Sequence, residues 1–195
     1  WLWANSEHSW MDAFRIVALN VTSVVTTTGV ALGDYTLWGS FSVLLFFYLT
    51  FVGGCSGSTA GGLKIFRFQV ASVLLKANLP QLIHPRAVIK QQYNGHNLDE
   101  DIVRSLITFS FFFTITIGLI ALGLALIGLD WVTALTGAAT AVCNVGPGLG
   151  PIIGPVGNFS TLPDAAKWLL TIGMLLGRLE ILTVLVLLTK AFWKH

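Results

Sequence analysis

Charged residues are scarce in this chain, and their scarcity decides the class of protein. Asp, Glu, Lys and Arg account for 10% of the 195 residues, whereas a soluble domain typically carries about 25%. Hydrophobic residues account for 54%, with 13 Phe and 7 Trp. An ordinary soluble domain is therefore excluded, and the composition predicts an integral membrane protein in contact with lipid.

Cysteine and histidine are also rare. Cys55 and Cys143 lie in apolar sequence, outside any CxxC pattern and away from histidine, which argues against a disulfide framework and a zinc site. His84 and His96 are too far apart for a metal-binding pair on one helix. The long apolar stretches carry no histidine and no cluster of carboxylates, which are the groups that an active site inside a membrane would need. We therefore predict that the protein is not an enzyme and holds no covalent cofactor.

The few basic residues are grouped rather than spread. Six lie in or beside one central polar segment and two lie near the C-terminus, namely Lys64, Arg67, Lys76, Arg86, Lys90, Arg104, Lys190 and Lys194. They flank apolar stretches instead of forming a basic face with stacking aromatics, which argues against nucleic acid as a partner. The positive-inside rule places both groups in the cytoplasm. Because the chain starts at Trp1 without a charged leader, we expect an upstream part to precede it.

A strip of threonines that ends in glycine interrupts apolar sequence at residues 25–29. Before it, residues 12–22 have helical patterning with Asp12 as a candidate cap, but at about 1.5 Å per residue they cross roughly half of a hydrocarbon core. A half-length helix that leads into an extended threonine strip predicts a re-entrant pore helix whose following carbonyls face an ion. The alternative is a short surface helix followed by an ordinary turn with glycine at positive φ.

A second interruption divides the apolar stretch of residues 37–76. Residues 53–62 contain five glycines, Gly53, Gly54, Gly57, Gly61 and Gly62, a density that a helix does not hold. Such a break at membrane depth is tolerated where it is buried in protein or lines a cavity. The alternative is a closely packed helix interface of small residues.

The second half of the chain repeats the pattern of the first. Residues 130–141 form another half-length apolar segment that leads into Asn144, Val145 and Gly146, and aligning Gly146 with Gly29 brings Asp130 close to Asp12. Residues 102–129 and 165–192 read as membrane spans on either side. This repetition predicts an all-α integral membrane fold of tandem helix–re-entrant loop–helix units. We divide it into an incomplete unit at residues 1–77, a cytoplasmic connector at 78–101 and a complete unit at 102–195.

Four motifs occur in order over almost the whole chain: VVTTTG at residues 24–29, FVGGCSGSTAGGLK at 51–64, NVGPGLG at 144–150 and MLLGRLE at 174–180. On these motifs the chain resembles the C-terminal part of a TrkH-type subunit of the Trk/Ktr/HKT superfamily of potassium transporters. The resemblance implies a potassium-channel-like arrangement of four tandem repeats around one pore. This chain would supply most of the third repeat and all of the fourth.

The resemblance also implies roles for individual residues in potassium uptake. The K+ filter would be formed by Thr27, Thr28, Gly29, Asn144, Val145 and Gly146. The gate beneath it would comprise Gly53, Gly54, Gly57, Ser58, Thr59, Gly61, Gly62 and Arg178. A charge inside a span costs at least about 2.5 kcal/mol, so Arg178 should face the pore or the gate; a structural ion pair with Glu180 is the alternative, although residues two apart do not face each other on a helix.

The partners and the location follow from the same resemblance. A second copy of the subunit would complete a homodimer, and a separate cytosolic ring, which alone binds nucleotide, would dock near residues 64–90. The protein would lie in the cytoplasmic (inner) membrane of a bacterium, with its filter side periplasmic and with the connector and the C-terminus cytoplasmic. A non-conducting structural subunit of a transport complex is the alternative. Asn144 replaces Thr27 and Pro147 follows Gly146, so the strictness of K+ over Na+ selection and coupling to Na+ or H+ stay open.

Overall fold

The computed structural model describes residues 2–5, 9–55, 57–58, 60–83, 92–179, 181–187, 190 and 192–193. Its eight α-helices and two short strands are, in order, α1 (Leu2–Asn5), α2 (Trp10–Val25), α3 (Ser40–Phe51), α4 (Ile65–Ile83), β1 (Gln92–Tyr93), β2 (His96–Asn97), α5 (Glu100–Leu126), α6 (Trp131–Cys143), α7 (Asp164–Arg178) and α8 (Ile181–Leu187). Two turns of 3₁₀-helix lie at Tyr35–Trp38 and Phe159–Thr161. The described fold is therefore mostly helical, which confirms the predicted all-α class.

The core is built around α6, which packs against both α5 and α7. Ten of its thirteen residues are buried, and most of them are Ala, Gly or Thr. Small side chains let neighbouring helices approach closely, which is how helices associate where water does not drive them together. At Gly137, for example, Ile153 and Leu124 fill the space that a side chain would take. The half-length apolar segment of the second unit is thus the most enclosed helix of the described chain.

The first unit packs onto this core through α3, and α2 packs in turn against α3. The loop after α2 turns back at Asp34, whose carboxylate accepts a hydrogen bond from the Thr36 N–H at 2.9 Å. The Tyr35 ring then stacks on Phe46 of α3, with ring centroids 4.0 Å apart, and Trp38 meets the same ring edge-on. Aromatic pairs of this kind add to the burial that holds the loop against α3.

The two half-length helices begin differently. Asp130 is the N-cap of α6 and accepts a hydrogen bond from the Thr133 N–H at 3.1 Å. The prediction that Asp12 caps the first helix is wrong, because α2 begins at Trp10 after Ser9 and Asp12 lies within its first turn. The Asp12 carboxylate still interacts favourably with the positive N-terminal end of the helix dipole.

Among the described residues, α5 is the one helix long and apolar enough to cross a membrane, and α3 and α6 are shorter apolar helices. The stretch at residues 37–76 is interrupted, since α3 ends at Phe51 and α4 begins at Ile65. In the described part of the predicted span at 165–192 the helix is interrupted: α7 ends at Arg178, Leu179 has ψ +7°, and α8 begins at Ile181. The Asn144 side-chain amide donates a hydrogen bond to the Met174 carbonyl at 3.1 Å. This bond ties the end of α6 to the C-terminal part of α7.

The predicted connector is partly helical. Pro80 lies inside α4, which continues to Ile83, so the first residues of the predicted connector belong to a helix. Proline has no N–H, so the Lys76 carbonyl lacks the helical hydrogen bond that residue 80 would otherwise donate. Asn94 and Gly95 both have positive φ and join β1 to β2, which is the geometry of a two-residue hairpin turn.

The close packing of α7 on α6 is open to a direct test. A Cβ at Gly177 would overlap the Val142 carbonyl oxygen, whereas a Cβ at Gly118 on α5 would meet nothing within 4 Å. We expect Gly177→Ala to lower the stability by about 1–3 kcal/mol, because a backbone carbonyl cannot move aside as a side chain can. Gly118→Ala is the matched control and should not destabilise. Thermal unfolding of the purified full-length protein in detergent measures both, and equal midpoints for the two variants would contradict the packing described here.

Candidate functional site

The first predicted filter strip begins where α2 ends. The Thr28 N–H donates to the Ser23 carbonyl at 2.9 Å and the Thr27 N–H donates to the Val24 carbonyl at 3.1 Å, a pair of bonds that defines a Schellman motif. Thr27 occupies the left-handed position of this motif, with φ +55°. The prediction of a fully extended strip is therefore wrong at this residue. A β-branched residue at positive φ is a genuine outlier, and such strain is a marker of sites where function fixes the backbone.

The second predicted strip leaves α6 by the same route. The Val145 N–H donates to the Thr140 carbonyl and the Asn144 N–H donates to the Ala141 carbonyl, both at 3.1 Å. Asn144 has φ +55°, as Thr27 does, although Asn tolerates the left-handed region better than Thr. The two strips therefore share one backbone geometry despite their different sequences, which the alignment of Gly29 with Gly146 predicts.

The two strips meet at their glycines. A Cβ at Gly146 would lie 3.4 Å from the Gly29 Cα, and a Cβ at Gly29 would lie 2.5 Å from the Val145 carbonyl oxygen. Both glycines also have positive φ, +78° at Gly29 and +116° at Gly146. Glycine is thus required at both positions by the backbone conformation, and at Gly29 also by the approach of the other strip.

Thr140 supports the second strip, although no pattern in the sequence distinguishes it from the other threonines of α6. Its side chain is buried, and its hydroxyl accepts a hydrogen bond from the Gly146 N–H at 3.1 Å. The same residue offers its backbone carbonyl to Val145. A threonine in an apolar helix usually bonds to its own helix, so its reach to a glycine six residues ahead is visible only in the structure.

The predicted gate segment forms a loop closed at its base by backbone hydrogen bonds. The Gly53 N–H donates to the Leu63 carbonyl and the Leu63 N–H donates to the Phe51 carbonyl, both at 2.9 Å. The Ile65 N–H then donates to the Gly54 carbonyl at 3.2 Å. These bonds fix the two ends of the loop where α3 stops and α4 starts.

The loop reaches the first strip and the end of α6. The Gly61 N–H points at the Thr27 hydroxyl, 3.4 Å away. A Cβ at Gly61 would overlap the Cys143 carbonyl oxygen, whereas Gly57 has open space around it. The structure thus brings the predicted gate against both predicted filter strips, with Gly61 as the contact. Of the predicted gate residues, Thr59 lies outside the described residues.

Arg178 lies beside this loop. It lines a cavity of about 170 Å³, and the other lining residues are Ser58, Ala60, Gly61, Gly62, Lys64, Arg67, Phe109 and Gly177. The Arg67 guanidinium stands 3.6 Å from the centroid of the Phe109 ring, a cation–π contact. Three basic side chains therefore border the space next to the loop. Glu180, the alternative partner of Arg178, lies outside the described residues.

The electrostatics of α6 favour a cation at its C-terminal end. Hydrogen bonds from Thr133 lower the pKa of the Asp130 carboxyl at the opposite end of the helix, so this N-cap is ionised at neutral pH. The helix dipole places about half a negative charge at the C-terminal carbonyls. That end leads directly into the Asn144–Val145–Gly146 strip.

Comparisons with known proteins agree on one family. The family model for TrkH, described as a cation transport protein, matches residues 8–194. The chain is similar to the Trk system potassium uptake protein TrkI of Halomonas elongata, with 65% identity over 92% of this chain and 36% of that protein. It is also similar to TrkH of Vibrio parahaemolyticus, with 36% identity over 94% of this chain and 37% of that protein.

A solved structure gives the same result. The crystal structure of the potassium transporter TrkH from Vibrio parahaemolyticus superimposes with a TM-score of 0.90 and 34% sequence identity, over 99% of this chain and 41% of that chain. The chain thus spans little more than a third of the length of its relatives.

The support of the second strip by Thr140 can be tested without measuring transport. We expect Thr140→Val to lower the stability by about 1 kcal/mol, because the Gly146 N–H loses its acceptor, and Thr140→Ser to restore most of it. Thr116→Val is the control, since the Thr116 hydroxyl donates only to the Phe112 carbonyl of its own helix. Thermal unfolding of the full-length protein measures all three. If the Val and Ser variants at position 140 unfold together, the hydroxyl has no supporting role.

Proposed function

Because this chain belongs to the TrkH family of cation transport proteins, we propose that it is part of a potassium-uptake protein of a bacterial cytoplasmic membrane. The observation that carries the proposal is the meeting of two glycine-ended strips, one at the C-terminus of the 16-residue α2 and one at the C-terminus of the 13-residue α6. Its relatives are named potassium uptake proteins, which agrees with this reading.

The proposed filter works by replacing the water shell of K+ with backbone carbonyls. Thr27, Thr28 and Gly29 supply carbonyls from one side, and Asn144, Val145 and Gly146 supply them from another. The negative ends of the α2 and α6 dipoles add to the attraction for a cation. The Asn144 side chain is committed to α7 through the Met174 carbonyl, so its contribution to the ion path is its backbone carbonyl.

The proposed gate is the glycine-rich loop together with Arg178. The loop lies directly against Thr27, the first residue of one strip, and against Cys143, the residue before the other. A segment in this position blocks the path when it is in place and opens it when it moves. The basic side chains of Lys64, Arg67 and Arg178 border the same cavity and would raise the electrostatic barrier to a cation that leaves the filter.

The complete pore needs more than this chain. Two strips make two walls, so the rest of the protein would supply two more strips. We extend the proposal to the expected partners, a second copy in a homodimer and a cytosolic nucleotide-binding ring, and to the orientation with the filter facing the periplasm. Family membership and the placement of the basic residues support these extensions.

The filter assignment predicts a specific effect at Gly29. Gly29→Ala should raise Na+ uptake relative to Rb+ uptake by at least about tenfold, because the new Cβ would push the Val145 carbonyl, a proposed ligand, away from its position. The measurement is isotope uptake by the full-length protein in proteoliposomes. The control is Gly33→Ala, which has a similar positive φ of +75° but open space around it.

The controls also decide between the proposal and its alternative. Backbone strain alone would act equally at positions 29 and 33, so an equal change in selectivity at the two sites would sink the filter assignment. A wild-type protein that takes up no Rb+ above empty liposomes would instead favour the non-conducting structural subunit.

The gate assignment makes its own prediction. Gly61→Ala should displace the loop from the Cys143 carbonyl and raise basal Rb+ flux several-fold, whereas Gly57→Ala should leave it unchanged, because only position 61 lacks space for a Cβ. Rates are compared at equal amounts of reconstituted protein. A basal flux of Gly61→Ala that stays at the wild-type rate would show that this loop does not limit transport.

A further inference from the structure

A buried asparagine of α2 holds the backbone that follows the first strip. Asn20 is 1% exposed. Its side-chain amide donates to the Leu32 carbonyl at 3.0 Å, and its side-chain oxygen accepts from the Leu32 N–H at 2.8 Å. Both backbone groups of Leu32 are therefore taken by one side chain twelve residues earlier. A buried polar group with both of its bonds made fixes local geometry, because either bond is costly to lose.

A buried threonine of α6 does the same after the second strip. The Leu149 N–H donates to the Thr136 hydroxyl at 3.1 Å, and that hydroxyl lies 3.2 Å from the Leu149 carbonyl. The hydroxyl also lies 2.8 Å from the Val132 carbonyl of its own helix, so its one proton is shared between the two acceptors. Thr136 is 7% exposed.

Leu32 and Leu149 occupy equivalent positions after the two strips. The side chains that bond their backbone groups, Asn20 and Thr136, do not occupy equivalent positions. Leu32 lies three residues after Gly29, and Leu149 lies three residues after Gly146. In the same alignment Asn20 matches Gly137, and Thr136 matches Leu19. Different residue types at adjacent helix positions thus reach the same backbone position. The two units share the hydrogen bonding of this backbone position, but they do not share the side chain that provides it. We take this as a sign that each strip needs its following backbone to be held.

We propose that Asn20 and Thr136 are positioning residues that set the outer end of each filter strip and thereby the selection between K+ and Na+. This inference rests on the proposed function of the strips. The Schellman motif fixes the inner end of each strip, and the captured leucine fixes the end three residues beyond the glycine. With both ends fixed, the intervening carbonyls keep one spacing; with the outer end released, they adapt to a smaller ion.

Thr136 offers the sharper test, because Val has the shape of Thr without its hydroxyl. We expect Thr136→Val to raise the ratio of Na+ to Rb+ uptake by about tenfold, equivalent to about 1.4 kcal/mol, and Thr136→Ser to restore the wild-type ratio. Thr116→Val is the matched control, since its hydroxyl serves only its own helix, and should leave the ratio unchanged. Uptake of both ions by the full-length protein is measured in the same proteoliposomes, so the ratio does not depend on how much protein is inserted.

Asn20→Asp gives an independent test in the other unit. The carboxylate keeps the acceptor for the Leu32 N–H but cannot donate to the Leu32 carbonyl at neutral pH, so the ratio should rise here as well. If Thr136→Val does not insert into the membrane, this variant decides the question. Unchanged ratios in these variants, with wild-type Rb+ uptake intact, would overturn the positioning role and leave the proposed function standing. An absence of Rb+ uptake in the wild type would instead count against the proposed function.

Discussion

Several of the described segments converge on the C-terminal end of α6. The backbone carbonyls there leave room for glycine but not for a residue with a side chain. The last carbonyls of a helix have no partner within it. In α6 the Thr140 and Ala141 carbonyls accept from the strip that follows. Two further carbonyls at the helix end and one in the strip are each approached by a glycine of a different segment: Gly177 of α7 at Val142, Gly61 of the glycine-rich loop at Cys143, and Gly29 of the first strip at Val145. Any Cβ at these glycines would collide with a backbone oxygen. The absence of three side chains thus lets the first strip, the glycine-rich loop and α7 approach the end of α6.

This convergence also places the charges. The negative end of the α6 dipole faces the two strips, while the basic residues Lys64, Arg67 and Arg178 border the cavity on the side of the loop. A cation at the strips would be attracted by the helix end and opposed by the residues beyond the loop. An attractive site at the strips followed by a repulsive one beyond the loop is the arrangement that the proposed gated cation path requires.

The sequence reveals the parts of the site that depend on residues with unusual backbone freedom. The repeat, the glycine break and the pairing of Gly29 with Gly146 are all readable from the pattern, because glycine is needed wherever backbones meet or turn left-handed. Thr27 at φ +55° was not predictable, since its conformation opposes its own preference and tertiary structure imposes it. The hydrogen bonds from Asn20 to Leu32 and from Thr136 to Leu149 were not predictable for another reason. The two units use different side chains from different positions, so no repeat in the sequence indicates these bonds.

The two strips are therefore alike in backbone and unlike in support. Ser23 occupies the position in α2 that Thr140 occupies in α6, and each offers its carbonyl to the strip that follows. The Thr140 hydroxyl also accepts from the Gly146 N–H, but the buried Ser23 hydroxyl has no hydrogen-bond partner within the described part of the chain. Serine lacks the methyl group that restricts the rotamers of threonine. The second strip is thus held at its glycine by a stiff side chain, and the first strip is not. In the proposed pore the two walls would therefore yield to an ion to different extents, and selection would average over unequal sites, in contrast to a pore built from four identical chains.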